Sequence, residues 1–144
     1  MSYFLSKEEG NFYEDEGYLV RENQFSINEV NSLRGALERA VNKAQEQASG
    51  GKVYFLDKKK FVDVDYMTLQ YEPQSDDNIL KVIEPAHFLD QELYSLTQDT
   101  RITDPIRSIL EEDKIALWTD KLNLKRPGTG SGFGWHQDSP YWVH

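Results

Sequence analysis

The stretch GWHQDSPYW, residues 134–142, sets a histidine and an aspartate two positions apart, with glycines before the pair and aromatics around it. Side chains alternate between faces in an extended segment, so His136 and Asp138 point one way and Gln137 the other. A neutral imidazole nitrogen and a carboxylate oxygen converging from one face are two of the three ligands of a 2-His-1-carboxylate facial triad. That arrangement leaves the remaining metal positions open for a cosubstrate and dioxygen. The spacing alone is weak, because three His and 12 Asp among 144 residues give about 0.25 such pairs by chance. A loop histidine with a neighbouring carboxylate is the plainer reading on that count. The other histidines are His87, in PAHFLD, which reads as a surface residue or the start of a helix, and His144, eight residues after His136. An extended chain of that length spans roughly 26 Å, so only a sharp turn at Pro140 returns His144 to the same metal. With such a turn, His136, Asp138 and His144 would make a zinc site of hydrolase type.

A ligand pair acts only if the chain around it is held. In KIALWTDKLNLK, residues 114–125, alternation puts Ala116, Trp118, Leu122 and Leu124 on one face of a strand and Thr119, Lys121, Asn123 and Lys125 on the other. One side is apolar; the other carries amides and ammonium groups, and on pattern alone it is a solvated face. Next come glycines at 128, 130, 132 and 134, without the strand-loop-helix frame or the Gly-Lys-Ser/Thr sequence of a phosphate cradle. They read as a mobile loop at the mouth of a site. Upstream, apolar residues recur at spacings of three and four through Ile27, Val30, Leu33, Leu37, Ala40, Val41, Ala44 and Ala48, one face of a helix over about 27–48. Ser26 and Glu29 have capping-box spacing at its start, and Gly50 and Gly51 supply its stop. Before it, FYEDEGYLVREN predicts a short acidic helix, a glycine break and a strand at Tyr18–Val20. KVYFLD, FVDVDYMTLQYE and NILKVIEPAHFL read as strands and their connections. Two short helices follow. Asp90 caps the first, which carries Leu93 and Leu96; the second has Asp104 before Pro105 in its first turn and Ile106, Ile109 and Leu110 turned inward.

The totals narrow the classes. The 144 residues suffice for one domain with a core, whereas two domains would each be small. Against 16 Lys and Arg stand 25 Asp and Glu, and the net charge of -9 repels a phosphate backbone, so nucleic acid is not an expected partner. A hydrophobic share of 38% and a mean hydropathy of -0.69 are polar for a folded domain, yet a 12% aromatic share exceeds that of disordered chains. The chain folds around a modest core. With no Cys, a disulfide framework, a Cys-based zinc site and a thiol nucleophile are excluded. No apolar run approaches a membrane span, and MSYFLSKEEGNF lacks the basic and apolar regions of a leader; a cytoplasmic protein with no membrane partner is the default expectation.

The whole stretch DKLNLKRPGTGSGFGWHQDSPYW resembles the phytanoyl-CoA dioxygenase family of Fe(II)- and 2-oxoglutarate-dependent oxygenases. In that family a polar-faced strand, a Pro-Gly turn, a Gly-containing loop and Trp-His-x-Asp with nearby aromatics recur in this order. The resemblance is strongest over residues 115–142, and a GY-L-V segment leading into a long capped helix is how members often begin. It implies an α+β fold, a double-stranded β-helix (cupin-like jelly roll) with N-terminal helices. Residues 1–144 would be the N-terminal part of a single oxygenase domain, incomplete at its C-terminal end. The resemblance implies that His136 and Asp138 are iron ligands. It also implies that Asn123, thirteen residues before His136, contacts 2-oxoglutarate beside the metal. Lys125, on the same strand face, is a weaker candidate for that contact, since a Lys beside a Pro-Gly turn is more often solvated. Trp142 matches an aromatic wall near the cosubstrate; Trp135 and Tyr141 read equally well as packing residues. Fe(II), 2-oxoglutarate, O2 and a small or acyl substrate are the implied partners. Halogenases of the family carry a small residue where Asp138 stands, so hydroxylation is the implied outcome.

The family's third iron ligand is a distal His on a later strand, and an Arg beyond it commonly binds the far carboxylate of 2-oxoglutarate. Residues 1–144 reach neither, so the expectation is a piece of a longer enzyme, inactive by itself, whose half-closed roll leaves strand edges to be covered. The alternative is a non-catalytic binding module on the same fold, in which His136 and Asp138 hold no iron.

Overall fold

The computed structural model describes residues 2–73, 79–128, 130–132 and 134–137, and its helices and antiparallel strands make an α+β arrangement. The first helix, α1 (Lys7–Glu16), starts with a capping box in which Ser6 Oγ accepts from the Glu9 amide at 3.2 Å and Glu9 accepts from the Ser6 amide at 2.9 Å. Gly17 ends it in the left-handed region at φ 77°, and its amide donates to the Tyr13 carbonyl at 2.8 Å. Tyr18–Val20, expected as a strand, joins no sheet among the described residues. This part of the chain is held by a side chain instead. Arg21 donates to Glu9 at 2.7 Å and to the carbonyls of Tyr3 and Phe4 at 2.7 and 3.2 Å.

The long helix α2 (Ile27–Ala48) has the expected bounds and capping box, with the Ser26 amide donating to Glu29 at 2.8 Å and the Glu29 amide to Ser26 Oγ at 3.3 Å. Its buried residues are Ala36, Ala40, Val41 and Ala44, and the three alanines let the helix axis approach its neighbours closely. Ile27 stays exposed, so the apolar stripe is buried only from Ala36 onward. Gly51 follows at a point with no room for a side chain. A Cβ there would stand 2.5 Å from Val62 Cγ1 and 2.8 Å from the Asp63 carbonyl oxygen.

The strands β1 (Lys52–Leu56), β2 (Lys59–Val64), β3 (Met67–Tyr71) and β4 (Leu80–Glu84) form an antiparallel meander, and β5 (Leu122–Asn123) extends it beside β4. The register aligns Val62, Leu69, Ile83 and Leu122 across four strands. Val62, Leu69 and Ile83 are at most 2% exposed and, with Met67 and the small residues of α2, form the core. Complete burial of one such aliphatic side chain contributes roughly 1.5–3 kcal/mol. The adjacent register line, Phe61, Gln70, Val82 and Asn123, faces the opposite side of the sheet.

After β4 a 3₁₀ turn (His87–Leu89) leads into α3 (Gln91–Leu96), which Asp90 caps as expected, accepting from the Glu92 amide at 2.9 Å. The next helix, α4 (Thr100–Leu110), begins earlier than the sequence suggested. Asp99 caps it, accepting from the Arg101 amide at 2.8 Å, and Pro105 lies inside, where its missing N–H leaves the Arg101 carbonyl without a helical donor. Ile106, Ile109 and Leu110, expected inward, are exposed. The packed side of the helix is instead the one bearing Asp104 and Ser108, which accept from the Tyr3 and Leu5 amides, each at 3.0 Å. The strand expected over 114–125 also shortens. Among the described residues it pairs at Leu122–Asn123, plus a bond from the Leu124 amide to the Lys81 carbonyl at 2.8 Å, and Ala116 and Trp118 are exposed. Beyond Glu84 comes Pro85, which has no N–H to offer, so β4 does not continue alongside residues 114–121, and these pair with no strand among the described residues. No described helix is long and apolar enough to cross a membrane.

Candidate metal and cosubstrate site

The polar face expected for the last strand is present where that strand forms. Leu122 and Leu124 are half-buried against the core, whereas Asn123 and Lys125 between and after them are exposed. Pairing with Val82 puts Asn123 in line with Gln70 and Phe61 on the sheet face turned away from α2. The next register line there holds Asp63, Thr68 and Glu84. Thr68 Oγ1 donates to Asp63 at 2.9 Å, and the Tyr54 hydroxyl donates to the same carboxylate oxygen at 3.4 Å. Burial, and then the Asp63 charge, push the Tyr54 hydroxyl pKa up. Lys121 neutralises Glu84 across 3.0 Å, and Thr119 Oγ1 donates to the same carboxylate at 3.4 Å. Asn123 therefore stands on a mixed face, where amides, hydroxyls and carboxylates lie beside the apolar Phe61 and Val82.

His136 is exposed, with Nδ1 2.8 Å from the Gly134 carbonyl oxygen. A carbonyl can only accept, so in this contact Nδ1 carries the proton and the lone pair of the neutral ring stands on Nε2. An imidazole whose second nitrogen donates to a carbonyl is the arrangement in which histidines bind metals, since that bond fixes tautomer and ring orientation. The donor chemistry fits a divalent iron: an imidazole nitrogen here and a carboxylate two residues on. Asp138, Tyr141, Trp142 and His144 lie outside the described residues. Trp135, beside His136, is fully exposed. Among the described residues, no three His, Asp or Glu side chains group closely enough to hold a metal.

The loop before His136 is fastened by a cluster the sequence reading missed. Lys81 on β4 and Glu72 just after β3 have side chains 7% and 8% exposed, with Nζ and Oε2 3.7 Å apart. Ser131 bridges them. Its amide donates to Glu72 at 3.0 Å, its hydroxyl donates to the same oxygen at 2.8 Å, and that hydroxyl accepts from Lys81. Burial raises the Glu72 pKa, but the two Ser131 bonds and the Lys81 charge outweigh it and hold the carboxyl below its ordinary value. The signal was in ILKVI, residues 79–83: a lone ammonium in an apolar strand needs a buried partner. His87 also has a fixed role. Half-buried at the start of the 3₁₀ turn, its Nδ1 pairs with Asp120, which accepts from the Ala86 amide at 3.0 Å. The pair ties the chain leading to β5 to the end of β4, beside a groove of about 930 Å³ whose apolar wall includes Tyr94, Ile106, Leu117 and Trp118.

A family model described as phytanoyl-CoA dioxygenase matches residues 13–143. The chain is 28% identical over 132 residues to a probable alpha-ketoglutarate-dependent hypophosphite dioxygenase of Stutzerimonas stutzeri, covering 92% of this chain and 41% of that protein. It is 29% identical over 138 residues to an ectoine dioxygenase of Sphingopyxis alaskensis, covering 96% and 39%. A second ectoine dioxygenase, of Bordetella bronchiseptica, is 27% identical over 143 residues, covering 96% and 38%. The chain thus spans about two-fifths of the length of these relatives. No solved structure matches.

Proposed function

The chain belongs to the phytanoyl-CoA dioxygenase family, and from that premise we propose that it supplies two iron ligands and part of the cosubstrate site of an Fe(II)- and 2-oxoglutarate-dependent dioxygenase. In this reading residues 1–144 are the N-terminal part of one oxygenase domain of jelly-roll type, and the five-stranded sheet is a portion of its wall. His136 holds the metal through Nε2 and Asp138 through its carboxylate. Asn123 contacts 2-oxoglutarate, Lys125 is the weaker second contact, and Trp142 closes one side. When bound, iron and 2-oxoglutarate supply the oxidation: one O2 is consumed, 2-oxoglutarate becomes succinate and CO2, and the substrate is hydroxylated.

The chain's own residues supply geometry and charge. The Gly134 carbonyl sets the His136 tautomer. Leu122 and Leu124, held against the core, fix the strand so that the Asn123 amide presents a donor on the polar face. Lys121 offsets the Glu84 charge on that face, which lessens its repulsion of an anionic cosubstrate. The names of the relatives refer to hypophosphite and to ectoine, both small solutes, which favours a small substrate over an acyl chain. The observation that carries the proposal is the Nδ1 contact of His136 within the matched region. Its test is succinate formation from 2-oxoglutarate with Fe(II), by this chain and by the full-length protein that contains it. The full-length protein should release succinate and its His136→Ala variant should not. If the full-length protein forms none with any substrate class or uncoupled, it is a binding module and the enzyme reading fails.

A further inference from the structure

Resting on the reading of His136 as a metal ligand, we infer that Ser131, seated on the buried Glu72–Lys81 pair, is a positioning residue that holds the glycine loop so that His136 meets the metal. The loop offers little stiffness of its own: glycines occupy 128, 130, 132 and 134, and Gly128 and Gly130 have φ of 74° and 120°. Ser131 lies halfway along it. Its amide and hydroxyl both donate to one oxygen of Glu72, at 3.0 and 2.8 Å, and its hydroxyl accepts from Lys81. The one hydroxyl proton is thus used toward the carboxylate and its lone pair toward the ammonium, an assignment that leaves no donor or acceptor in conflict. The anchor is held because Glu72 and Lys81 are buried and the register pairs Gln70–Val82 and Tyr71–Leu80 of β3 and β4 flank them. Upstream, Arg126 is tied to Glu38 of α2 at 3.3 Å. Between that tie and His136 lie ten steps of chain, and Ser131 divides them into two halves of five.

The size of the effect follows from chain entropy. The probability that a free segment places its end at a fixed point falls with the 3/2 power of its length, so doubling the free segment weakens closure about threefold. Ser131→Ala removes the hydroxyl but keeps the Glu72–Lys81 ion pair, so the sheet stays folded, and Ser131→Thr restores a hydroxyl. The measurement uses Mn(II) as the probe, titrated into the 144-residue chain and followed by paramagnetic broadening of the indole N–H of Trp135, the residue next to His136. Thermal unfolding of each variant is recorded in parallel. The expected result is Mn(II) affinity weaker by up to about threefold in Ser131→Ala, whose amide still donates to Glu72, recovery in Ser131→Thr, and an unfolding midpoint for Ser131→Ala within a few degrees of the parent. His136→Ala should remove the broadening altogether. If His136→Ala abolishes binding while Ser131→Ala binds like the parent, or Ser131→Thr is as weak as Ser131→Ala, the positioning role is overturned and the metal assignment stands. If the parent and His136→Ala respond alike, the metal assignment falls and the inference with it.

Discussion

Neutralising Glu72 should be among the most damaging single changes in the sheet. Its carboxylate and the Lys81 ammonium are both more than nine-tenths buried and 3.7 Å apart, so Glu72→Gln takes a counter-charge away from a cation in the interior. Breaking a buried pair from one side costs about 3–5 kcal/mol. Gln retains an amide oxygen that accepts from Ser131, so we take the lower end, about 3 kcal/mol. With a urea slope of about 2 kcal/mol/M, the midpoint should fall by about 1.5 M. Lys81→Met should be similarly costly, because a buried carboxylate then loses its cation. The Glu72→Gln, Lys81→Met double variant buries neither charge, and its loss should be smaller than the sum of the single losses by about 2 kcal/mol or more. Acid should act on the same pair. The folded-state pKa of Glu72 lies below its ordinary value, so its contribution is fully present above that value and is lost as pH falls through the folded pKa. In the Glu72→Gln variant this component of acid sensitivity disappears. Urea unfolding of the four proteins at two pH values measures both effects. Losses that add within about 0.5 kcal/mol would refute the coupling.

Gly51→Ala should destabilise by about 1–3 kcal/mol, because its Cβ would meet a core valine and a backbone carbonyl of β2 at 2.5 and 2.8 Å. An unchanged unfolding midpoint would show that β1 can move away from β2. Glu29 is held at a pKa of about 2 by the Ser26 amide and hydroxyl and by Arg101, so the start of α2 should keep its cap on acidification until the pH approaches that value. Far-ultraviolet circular dichroism of Glu29→Gln against the parent checks this, the variant being expected to show no such transition near pH 2. Asp104→Ala removes the acceptor for the Tyr3 amide and for Arg107, each at 3.0 Å. Hydrogen exchange at Tyr3 and Leu5 should then speed up while the β3 amides keep their protection; equal acceleration in both places would mean that the clasp is not local.

Features set by local chemistry were the ones legible in the sequence. The capping box of α2, its bounds and the Asp90 cap all depend on groups within a few residues of one another, and each formed as read. The parity of residues 122–125 was legible for the same reason, since Leu122 and Leu124 alternate with Asn123 and Lys125. What failed depended on distant partners. Tyr18–Val20 has the composition of a strand, but Arg21 binds the Tyr3 and Phe4 carbonyls and no strand comes alongside among the described residues. Ile106, Ile109 and Leu110 have helical spacing, yet Asp104 and Ser108 turn their own side of the helix toward the Tyr3–Leu5 backbone. Alternation continues through Ala116 and Trp118, but pairing stops where β4 meets Pro85. At the candidate site the histidine was visible as part of a motif. The Glu72–Lys81–Ser131 anchor was not, because its members lie 50 and 59 residues apart and only the odd lysine in ILKVI hinted at it.

The central claim, that His136 and Asp138 hold Fe(II) for 2-oxoglutarate, is tested most directly by the visible charge-transfer absorption of the Fe(II)–2-oxoglutarate chelate, measured without oxygen. The full-length protein containing residues 1–144 should develop a saturable band when both components are present. The band should be lost in His136→Ala and in Asp138→Ala, while both variants keep the far-ultraviolet spectrum of the parent. A band of equal strength in parent and variants, or none in the parent at saturating Fe(II) and 2-oxoglutarate, would contradict the account.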